Sequence, residues 1–465
     1  MSYAEFPSLE TSLVGMPLDA VGYPPAVLER YRKLERDASR SLDEAGAPRE
    51  GRRTWVVPGR IEVLGKHVDY AGGRSLLCTV ERGIVVMAAP RTDRNVVLRD
   101  ARRRESTVVP LDVSPFPASQ SPMPWTIYPR TAIRRLQRNF GDRVIGADIA
   151  LASNLPPASG VSSSSALMVG MTLALAGLSG ITTDERWQRC LAPRTSLAGY
   201  VGALENGASF GELEGERGVG TLGGAQDQTA ILCCAPGKLD VFGWTPVRHE
   251  RAVPWPTDHV FVIAVSGVVA AKAGGARDRY NRVARTAHRL VAAWNAQGGS
   301  ARTLYDAFTE AAEGSVITDV PLALREAARA GADAEFNAAH LDARLQQFFA
   351  ETWQHVPDAA SALERRDLTT FGTIVAASQR GAEVALENQI AETMRLVSLA
   401  RGAGAVAASA FGAGFGGSVW AMVPESEAER FSSRWRDRYV NLFPQVARRV
   451  QMFSTQPSAP TFELL

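Results

Sequence analysis

The sequence carries little net charge and has no long basic stretch. Its 51 Lys and Arg residues nearly balance 49 Asp and Glu residues, which leaves a formal charge of +2. The short basic clusters Arg102–Arg104 and Arg134–Arg135 are mixed with acidic or apolar neighbours. That mixing is typical of solvent-exposed faces, so we expect no nucleic-acid partner.

Cysteine and histidine are scarce and are not arranged as metal ligands. The four cysteines, Cys78, Cys190, Cys233 and Cys234, show no CxxC spacing, and the six histidines form no HxH or HExxH pattern. Zinc sites and disulfide frameworks depend on such spacings. We therefore expect buried, reduced thiols and no dedicated zinc site.

Hydrophobic runs long enough to span a membrane are also absent. The longest apolar helical run, Ala166–Leu178, is too short to cross a bilayer. Residues 1–10 lack the basic region and apolar core of a secretory signal. We therefore expect a cytoplasmic location and no membrane contact.

What is present suggests a large globular enzyme with more than one core. Apolar residues make up 45% of the 465 residues and charged residues 22%, which is ordinary for a folded protein. A chain of this length exceeds what one core usually serves. We divide it into an N-terminal extension over residues 1–50, an N-terminal domain over 51–245 and a C-terminal domain over 246–465.

Strand and helix patterns occur in blocks, which favours an α+β fold. Residues 54–109 contain β-rich runs separated by turn residues, and 111–124 form a Pro- and Ser-rich loop. Helices are predicted over Pro25–Glu44 and over 125–140, after which a strand is predicted within 147–153. Strands are also predicted at 229–235, 239–244 and 259–265, and on both sides of the glycine loop near 412–417.

A serine run preceded by a Pro/Gly loop stands out at Leu155–Gly170. Ser162–Ser165 fall where the following helix begins. A helix start offers unpaired backbone N–H groups and the positive end of the helix dipole, both of which favour phosphate. Serine hydroxyls add donors there and can ligate Mg²⁺. A simple helix cap explains one serine better than it explains four in a row.

Two further segments combine unusual composition with chemistry. Ser409–Val423 contains a run of glycines that lets the backbone approach a ligand or a neighbouring loop. Pro58–Gly73 places five ionisable residues on one strand and its turn, where a ligand rich in hydroxyl groups would satisfy them. A packed turn or a salt-bridged β-turn is the alternative for each segment alone.

These three segments, in this chain order, resemble the GHMP kinases, and Pro58–Gly73 resembles the galactokinase signature in particular. The resemblance spans roughly residues 54–425. It implies a two-lobed α+β GHMP kinase fold with the active site between the lobes. It also implies an ATP-dependent sugar kinase that phosphorylates the anomeric hydroxyl of galactose or a related sugar, and we expect a monomer or a weak homo-oligomer. The signature residues that match are Arg60, Gly65, His67, Asp69, Tyr70, Gly72 and Gly73.

The resemblance also assigns roles to individual residues. Asp227 would be the catalytic base or orienting carboxylate, and Arg60 would assist the acceptor hydroxyl and the transferring phosphoryl group. Mg²⁺ would be held by Ser164 and Glu205. The implied sugar-binding residues are Arg60, Lys66, His67, Asp69 and Tyr280. The implied ATP- and phosphate-binding residues are Gly160, Ser162, Ser163, Ser164, Ser165, Gly414 and Gly416.

The sequence departs from the galactokinase pattern inside the sugar signature. Galactokinases carry Glu where this chain has Lys66 and Asn where it has Glu62. An ammonium group at a sugar-contacting position could favour an acidic substrate such as a uronic acid. Alternatively, Lys66 and Glu62 could pair with each other and leave a neutral hexose as the substrate. Both hypotheses stay open from the sequence alone.

Two other functions are compatible with the same resemblance. A catalytically silent sugar sensor would keep the fold and bind ATP and sugar, although the intact serine run, Arg60 and Asp227 disfavour it. A kinase for a non-sugar alcohol, such as mevalonate or homoserine, is disfavoured by the segment His67–Tyr70.

Overall fold

The computed structural model describes residues 15–111, 124–157, 159–269 and 275–465, and within them the chain forms two β-sheets with flanking helices. Nearly all of the loop predicted over 111–124 lies outside the described residues. The strands are β1 Gly15–Met16, β2 Arg53–Leu64, β3 Arg74–Pro90, β4 Asn95–Asp100, β5 Glu105–Pro110, β6 Ala147–Ser153, β7 Lys238–Gly243, β8 Arg248–Pro254, β9 His259–Val265, β10 Ala407–Phe411, β11 Ser418–Pro424, β12 Gln451–Thr455 and β13 Phe462–Leu464.

Fourteen α-helices lie between and around these strands in the described part of the chain, together with short 3₁₀ turns. The helices are α1 Pro25–Glu44, α2 Ile127–Phe140, α3 Ser163–Leu178, α4 Glu185–Leu191, α5 Arg194–Asn206, α6 Gln226–Cys233, α7 Gly275–Asn295, α8 Leu304–Ala311, α9 Leu322–Ala330, α10 Ala338–Phe349, α11 Val356–Glu364, α12 Leu368–Val384, α13 Ala391–Gly402 and α14 Ala428–Leu442.

The larger sheet has nine strands and is covered on both faces. Its main order is β1-β13-β2-β3-β6-β4-β5, and β7 and β8 extend it beside β3. Side chains alternate between the two faces of a strand, so Val56 packs in the cluster that contains α1, whereas Val57 packs in the main core. Both faces being buried explains why β2 and β3 read as nearly continuous apolar runs.

Helix α3 packs centrally on the larger sheet, against β2 and β3. Almost every residue from Ser165 to Gly177 is buried, which accounts for an apolar sequence with no polar face. The residue before the helix, Ser162, has a φ of 58°, so the chain turns sharply into the helix start. This turn fixes where the serine run lies.

The smaller sheet has four antiparallel strands in the order β10-β11-β9-β12. Helices α13 and α14 pack on it through a separate apolar cluster. After β12 the chain returns to the larger sheet, where β13 pairs with β2 and β1. Strands β8 and β13 therefore belong to the larger sheet although both lie after residue 245, and the proposed domain division stays a prediction.

Most predicted elements agree with the structure, and one was wrong. The helix Pro25–Glu44 and the strand His259–Val265 have the predicted bounds. The strand predicted over 229–235 is instead part of α6, Gln226–Cys233. Short apolar runs are ambiguous between a buried strand and a buried helix, and α6 is buried all round against α5 and α3.

The cysteines are all free, as expected, but Cys190 is only half-buried while the other three are buried. Burial raises the pKa of the Cys233 thiol to about 12. No helix among the described residues is both long and apolar enough to cross a bilayer.

Candidate active site

The central feature of the site is an ion pair between Arg60 on β2 and Asp227 on α6. The Nε and Nη2 atoms of Arg60 lie 2.8 and 2.6 Å from Oδ1 of Asp227. The guanidinium also donates to the backbone carbonyl of Gly160. Because Arg60 is only 3% exposed, these partners hold it in one orientation.

The serine run joins this ion pair to the start of α3. The Ser162 hydroxyl donates to Oδ2 of Asp227 at 2.5 Å. Ser165 lies within hydrogen-bonding distance of two carboxylates, at 3.3 Å from Asp227 Oδ2 and 2.8 Å from Glu205 Oε1. Glu205 also accepts a bond from Gln228 Nε2 at 2.8 Å. Residues far apart in the sequence thus meet at one helix start.

The C-terminal glycine segment packs directly on the loop before α3. A Cβ atom at Gly412 would lie 3.0 Å from the Gly160 carbonyl, which shows how closely the two backbones approach. The Ser418 hydroxyl donates to the Ser159 carbonyl at 2.5 Å. The glycines therefore serve loop-to-loop contact, and the serine at 418 adds a hydrogen bond between the two segments.

A large cavity of about 660 Å³ opens beside the start of α3. Its walls combine phosphate-compatible hydroxyls with aromatic rings from the segment around α2. They also include Arg102 and Arg103, which the sequence had indicated to be ordinary surface charges. The cavity walls also include Arg60, Trp125, Tyr128, Gly160, Ser162, Ser163, Ser164, Asp227 and Ala413.

A small cavity of about 40 Å³ adjoins the large one and shares Arg60, Asp227 and Ala413 with it. His67, Asp69 and Tyr280 line it, and the His67 and Tyr280 rings lie 5.3 Å apart between centroids. His67 is also within hydrogen-bonding distance of the Tyr70 hydroxyl, at 3.1 Å, and of the Ala413 carbonyl, at 3.2 Å. Asp69 accepts a bond from the Gln226 backbone N–H at 3.2 Å.

Lys66 and Glu62 pair with each other, at 3.7 Å between Lys66 Nζ and Glu62 Oε1. Lys66 is buried and donates to the Ala410 carbonyl on β10 at 2.6 Å. It is not among the residues that line the small cavity, whereas Glu62 is. Glu62 also accepts a hydrogen bond from Gln226 Nε2 at 2.5 Å.

Two carboxyl groups in the small cavity have raised pKa values. Burial raises the pKa of Glu62 to about 7, although the nearby charges of Lys66 and Arg60 oppose the shift. Burial and the negative charge of Asp227 raise the pKa of Asp69 to about 6. Such shifts are common where ionisable groups are gathered around a polar ligand.

The predicted site residues do not all line the two cavities. The predicted sugar contacts, apart from Lys66, line the small cavity together with Glu205, and Gly160 and Ser162–Ser164 line the large one. Ser165 bridges Asp227 and Glu205 behind these walls. Gly414 and Gly416 are not in either wall; Gly414 packs on Asn388.

Several residues at the site carried no recognisable signal in the sequence. Glu62 appeared only as a departure from the signature. Arg344 donates to the His67 carbonyl at 2.5 Å, and Gln379 accepts from the Ala410 backbone N–H at 2.9 Å. Arg344 lies on α10, 277 positions along the chain from His67. Gln379 lies on α12, which packs directly against β10. Only their proximity in the fold reveals them.

The oxygen donors near the start of α3 suit Mg²⁺. Glu205 supplies a buried carboxylate and Ser164 a hydroxyl, which are the hard oxygen ligands that this ion prefers. No group of three or more His, Cys, Asp or Glu side chains arranged to hold a metal occurs among the described residues. Mg²⁺ bound mainly through substrate phosphates needs only one or two protein ligands.

Comparison with protein families gives three matches along the chain. Residues 127–234 match the model described as "GHMP kinases N terminal domain", and residues 359–441 match "GHMP kinases C terminal". Residues 43–90 match the "Galactokinase galactose-binding signature". The last match contains Arg60, Glu62 and the small-cavity residues His67 and Asp69.

Curated relatives and solved structures agree with these matches. The galactokinase of Streptomyces coelicolor is 26% identical over 439 residues, which cover 93% of this chain and 96% of that protein. The galactokinase of Mycobacterium tuberculosis is 29% identical over 380 residues, covering 81% and 90%. In fold, the chain is similar to Lactococcus lactis galactokinase complexed with galactose (TM-score 0.69, 21% identity, covering 92% of this chain and 99% of that one). Methanococcus jannaschii mevalonate kinase is more distant (TM-score 0.51, 13% identity, covering 89% and 100%).

Proposed function

Because this chain belongs to the GHMP kinase superfamily and is a galactokinase-like sugar kinase, we propose that it transfers the γ-phosphate of ATP to the anomeric hydroxyl of galactose or a closely related sugar. The large cavity would bind the nucleotide, and the small cavity would bind the sugar. Their shared wall at Arg60, Asp227 and Ala413 would be the place where phosphate and acceptor hydroxyl meet.

The observation that supports this proposal most strongly is the Arg60–Asp227 ion pair at the start of α3. Phosphoryl transfer needs little covalent chemistry from the protein, since its transition state is loose and highly charged. Positioning and electrostatic stabilisation therefore dominate. A buried guanidinium beside a helix start supplies both at a fixed place.

In this proposal Asp227 accepts a hydrogen bond from the acceptor hydroxyl and takes up its proton as the hydroxyl oxygen bonds to the γ-phosphorus. The bond from that phosphorus to the β-phosphate oxygen breaks, and ADP leaves. Arg60 stabilises the negative charge that spreads over the transferring group. The backbone N–H groups at the start of α3 and the hydroxyls of Ser162–Ser164 bind the remaining phosphate oxygens. Glu205 and Ser164 would hold Mg²⁺, which neutralises phosphate charge when it is bound.

The sugar hydroxyls would be recognised by His67, Asp69 and Tyr280. Two of these groups already have partners in the protein. His67 contacts the Tyr70 hydroxyl and the Ala413 carbonyl, and Asp69 accepts a bond from the Gln226 backbone N–H. A site built from such polar groups discriminates between epimers, because the wrong hydroxyl arrangement leaves one of them buried and unpaired.

Replacing Asp227 tests the proposal. In Asp227→Asn we expect kcat to fall by about 1,000-fold or more, because the proton acceptor is lost, while ATP affinity changes little. ADP release would be measured with galactose, arabinose, galacturonate, glucuronate, mevalonate and homoserine, and ATP binding by calorimetry. Unchanged turnover in the variant would remove Asp227 from its role.

The same panel separates the kinase from the other hypotheses. Sugar and ATP binding without any ADP release from the wild-type protein would indicate a sensor. ADP release only with mevalonate or homoserine would indicate a non-sugar alcohol as substrate.

A further inference from the structure

Glu62 occupies a position from which it can contact the acceptor. It lies two residues after Arg60 on β2, so the two side chains project from the same face of the strand. Its carboxylate lines the small cavity together with His67, Asp69 and Tyr280. Glu62 is only 2% exposed, so its hydrogen-bonding needs must be met within the site.

The two oxygens of this carboxylate differ in their hydrogen bonding. Oε2 accepts a bond from Gln226 Nε2, whereas Oε1 has no hydrogen-bond partner among the residues that the structure describes and lies 3.7 Å from Lys66 Nζ, too far for a hydrogen bond. Leaving a buried carboxylate oxygen without a donor is costly. An acceptor hydroxyl entering the cavity would supply the missing donor.

Lys66 is directed elsewhere. Its ammonium donates to the Ala410 carbonyl of β10 at 2.6 Å, and its remaining attraction is toward Glu62. It is 2% exposed and absent from the cavity wall. The positive charge that could have attracted a substrate carboxylate is therefore already engaged within the protein.

The charges that do face the small cavity are mostly negative. Its walls contain the carboxylates of Glu62, Asp69, Glu205 and Asp227, and one guanidinium, that of Arg60, which is paired with Asp227. A sugar carboxylate placed there would meet like charges at low solvent exposure, which disfavours its binding. An uncharged polyhydroxy compound would instead donate hydrogen bonds to these acceptors.

We propose that Glu62 is a specificity-determining residue whose Oε1 accepts a hydrogen bond from a hydroxyl of the acceptor, and that the small cavity therefore selects uncharged sugars over uronic acids. This inference rests on the proposed sugar kinase function. It assigns to position 62 the carboxylate contact that Lys66 cannot make.

The test combines one isosteric variant with a set of acceptors. Initial rates would be measured for wild type and Glu62→Gln with D-galactose, its 2-, 3-, 4- and 6-deoxy analogues, and D-galacturonate. For the wild type we expect galacturonate to be at least about 100-fold poorer than galactose in kcat/KM. In Glu62→Gln we expect kcat/KM for galactose to fall about 10- to 100-fold, with ATP KM unchanged.

The deoxy analogues identify the contact. The analogue that lacks the contacted hydroxyl should respond little to Glu62→Gln, because the hydrogen bond is already missing. Asp240→Asn is a matched control, since Asp240 is a buried carboxylate of the same sheet that is in neither cavity wall. This control should leave the relative kcat/KM values of the acceptors unchanged.

Two results would overturn the inference. The first is an equal loss of kcat/KM in Glu62→Gln for galactose and for every deoxy analogue. The second is a wild-type preference for galacturonate over galactose. The second measurement needs no variant, so it still tests the inference if Glu62→Gln fails to fold. Calorimetric sugar binding in the presence of ADP separates this failure from failure of the kinase proposal. Sugar binding without turnover would contradict the kinase proposal but not the role of Glu62. In that case the sugars would be compared by their dissociation constants instead of by kcat/KM.

Discussion

Glu62 binds its proton at an unusually high pH because it is buried, and this should make stability depend on pH. The groups that face it are Lys66 and Arg60, whose charges favour the ionised form, Gln226, which donates to it, and Asp227, which opposes ionisation. The net result is a pKa of about 7 instead of the ordinary 4.5. Between these values the folded state holds a proton that the unfolded state has released. Stability from this group is therefore complete below pH 4.5 and is lost as the pH rises through 7.

We predict that the free energy of unfolding of the wild type falls relative to that of Glu62→Gln between pH 5 and pH 7.5, by an amount on the order of 2 kcal/mol. Urea denaturation at both pH values measures the difference. Asp69 also titrates in this range, but it is present in both proteins, so its contribution cancels in the difference between them. Parallel stability curves for the two proteins would contradict the assignment of this shift to Glu62.

At the scale of elements, the glycine loop between β10 and β11 connects the two cavities to the smaller sheet. Ala413 lines both cavities, and its neighbour Gly414 has a φ of +78°. A Cβ atom at Gly414 would lie 2.3 Å from the Asn388 carbonyl oxygen, so no larger residue fits without moving the loop. The small cavity measures about 40 Å³, so the proposed binding of a hexose would require its walls to move.

We predict that Gly414→Ala lowers kcat/KM for the sugar at least about 10-fold and destabilises the fold by about 1–3 kcal/mol. Gly404→Ala is the matched control. Gly404 also has a positive φ, +97°, but nothing lies within 4 Å of the added Cβ and the residue is remote from both cavity walls. The Gly404→Ala variant should lose stability through backbone strain, while its kcat/KM for the sugar stays unchanged. Equal kinetics in the two variants would show that the Gly414 contact does not position the site.

The C-terminal segment of the chain connects the smaller sheet to the larger one. After β12 in the smaller sheet, residues 456–464 return to the larger sheet, where Thr461 donates to the Ile231 carbonyl and Arg53 pairs with Glu463 at 2.6 Å. Phe462 is fully buried in the cluster beneath α1. The segment 456–464 therefore links the two sheets through the chain itself and through its packing against the larger sheet.

We predict that Phe462→Ala lowers the free energy of unfolding by about 3–5 kcal/mol, because it leaves a cavity beneath α1. Leu465→Ala is the control, since Leu465 is 77% exposed and should change stability by less than about 0.5 kcal/mol. Urea denaturation gives both values. Similar values for the two variants would mean that the returning segment contributes little to the larger sheet.

Local patterns predicted the elements that depend on local physics. Helix α1 and strand β9 have the bounds expected from their periodicity, and the serine run does precede a buried helix, α3. The apolar run 229–235 was predicted as a strand but belongs to α6, because a short run buried on all sides has no periodicity to distinguish the two. Helix α6 also carries Asp227, so its helical form decides how that carboxylate reaches the start of α3.

The sequence by itself determined the superfamily, the α+β composition and the three motifs, because each is written in residue types and short spacings. Only the tertiary structure decided which of the two unusual residues of the signature lines the small cavity. Whether a side chain lines a cavity depends on strand direction and on partners such as Ala410 and Gln226, which lie far along the chain. For that reason Lys66 turns toward β10 and Glu62 remains in the cavity wall, where one of its oxygens finds no hydrogen-bond donor in the described part of the chain.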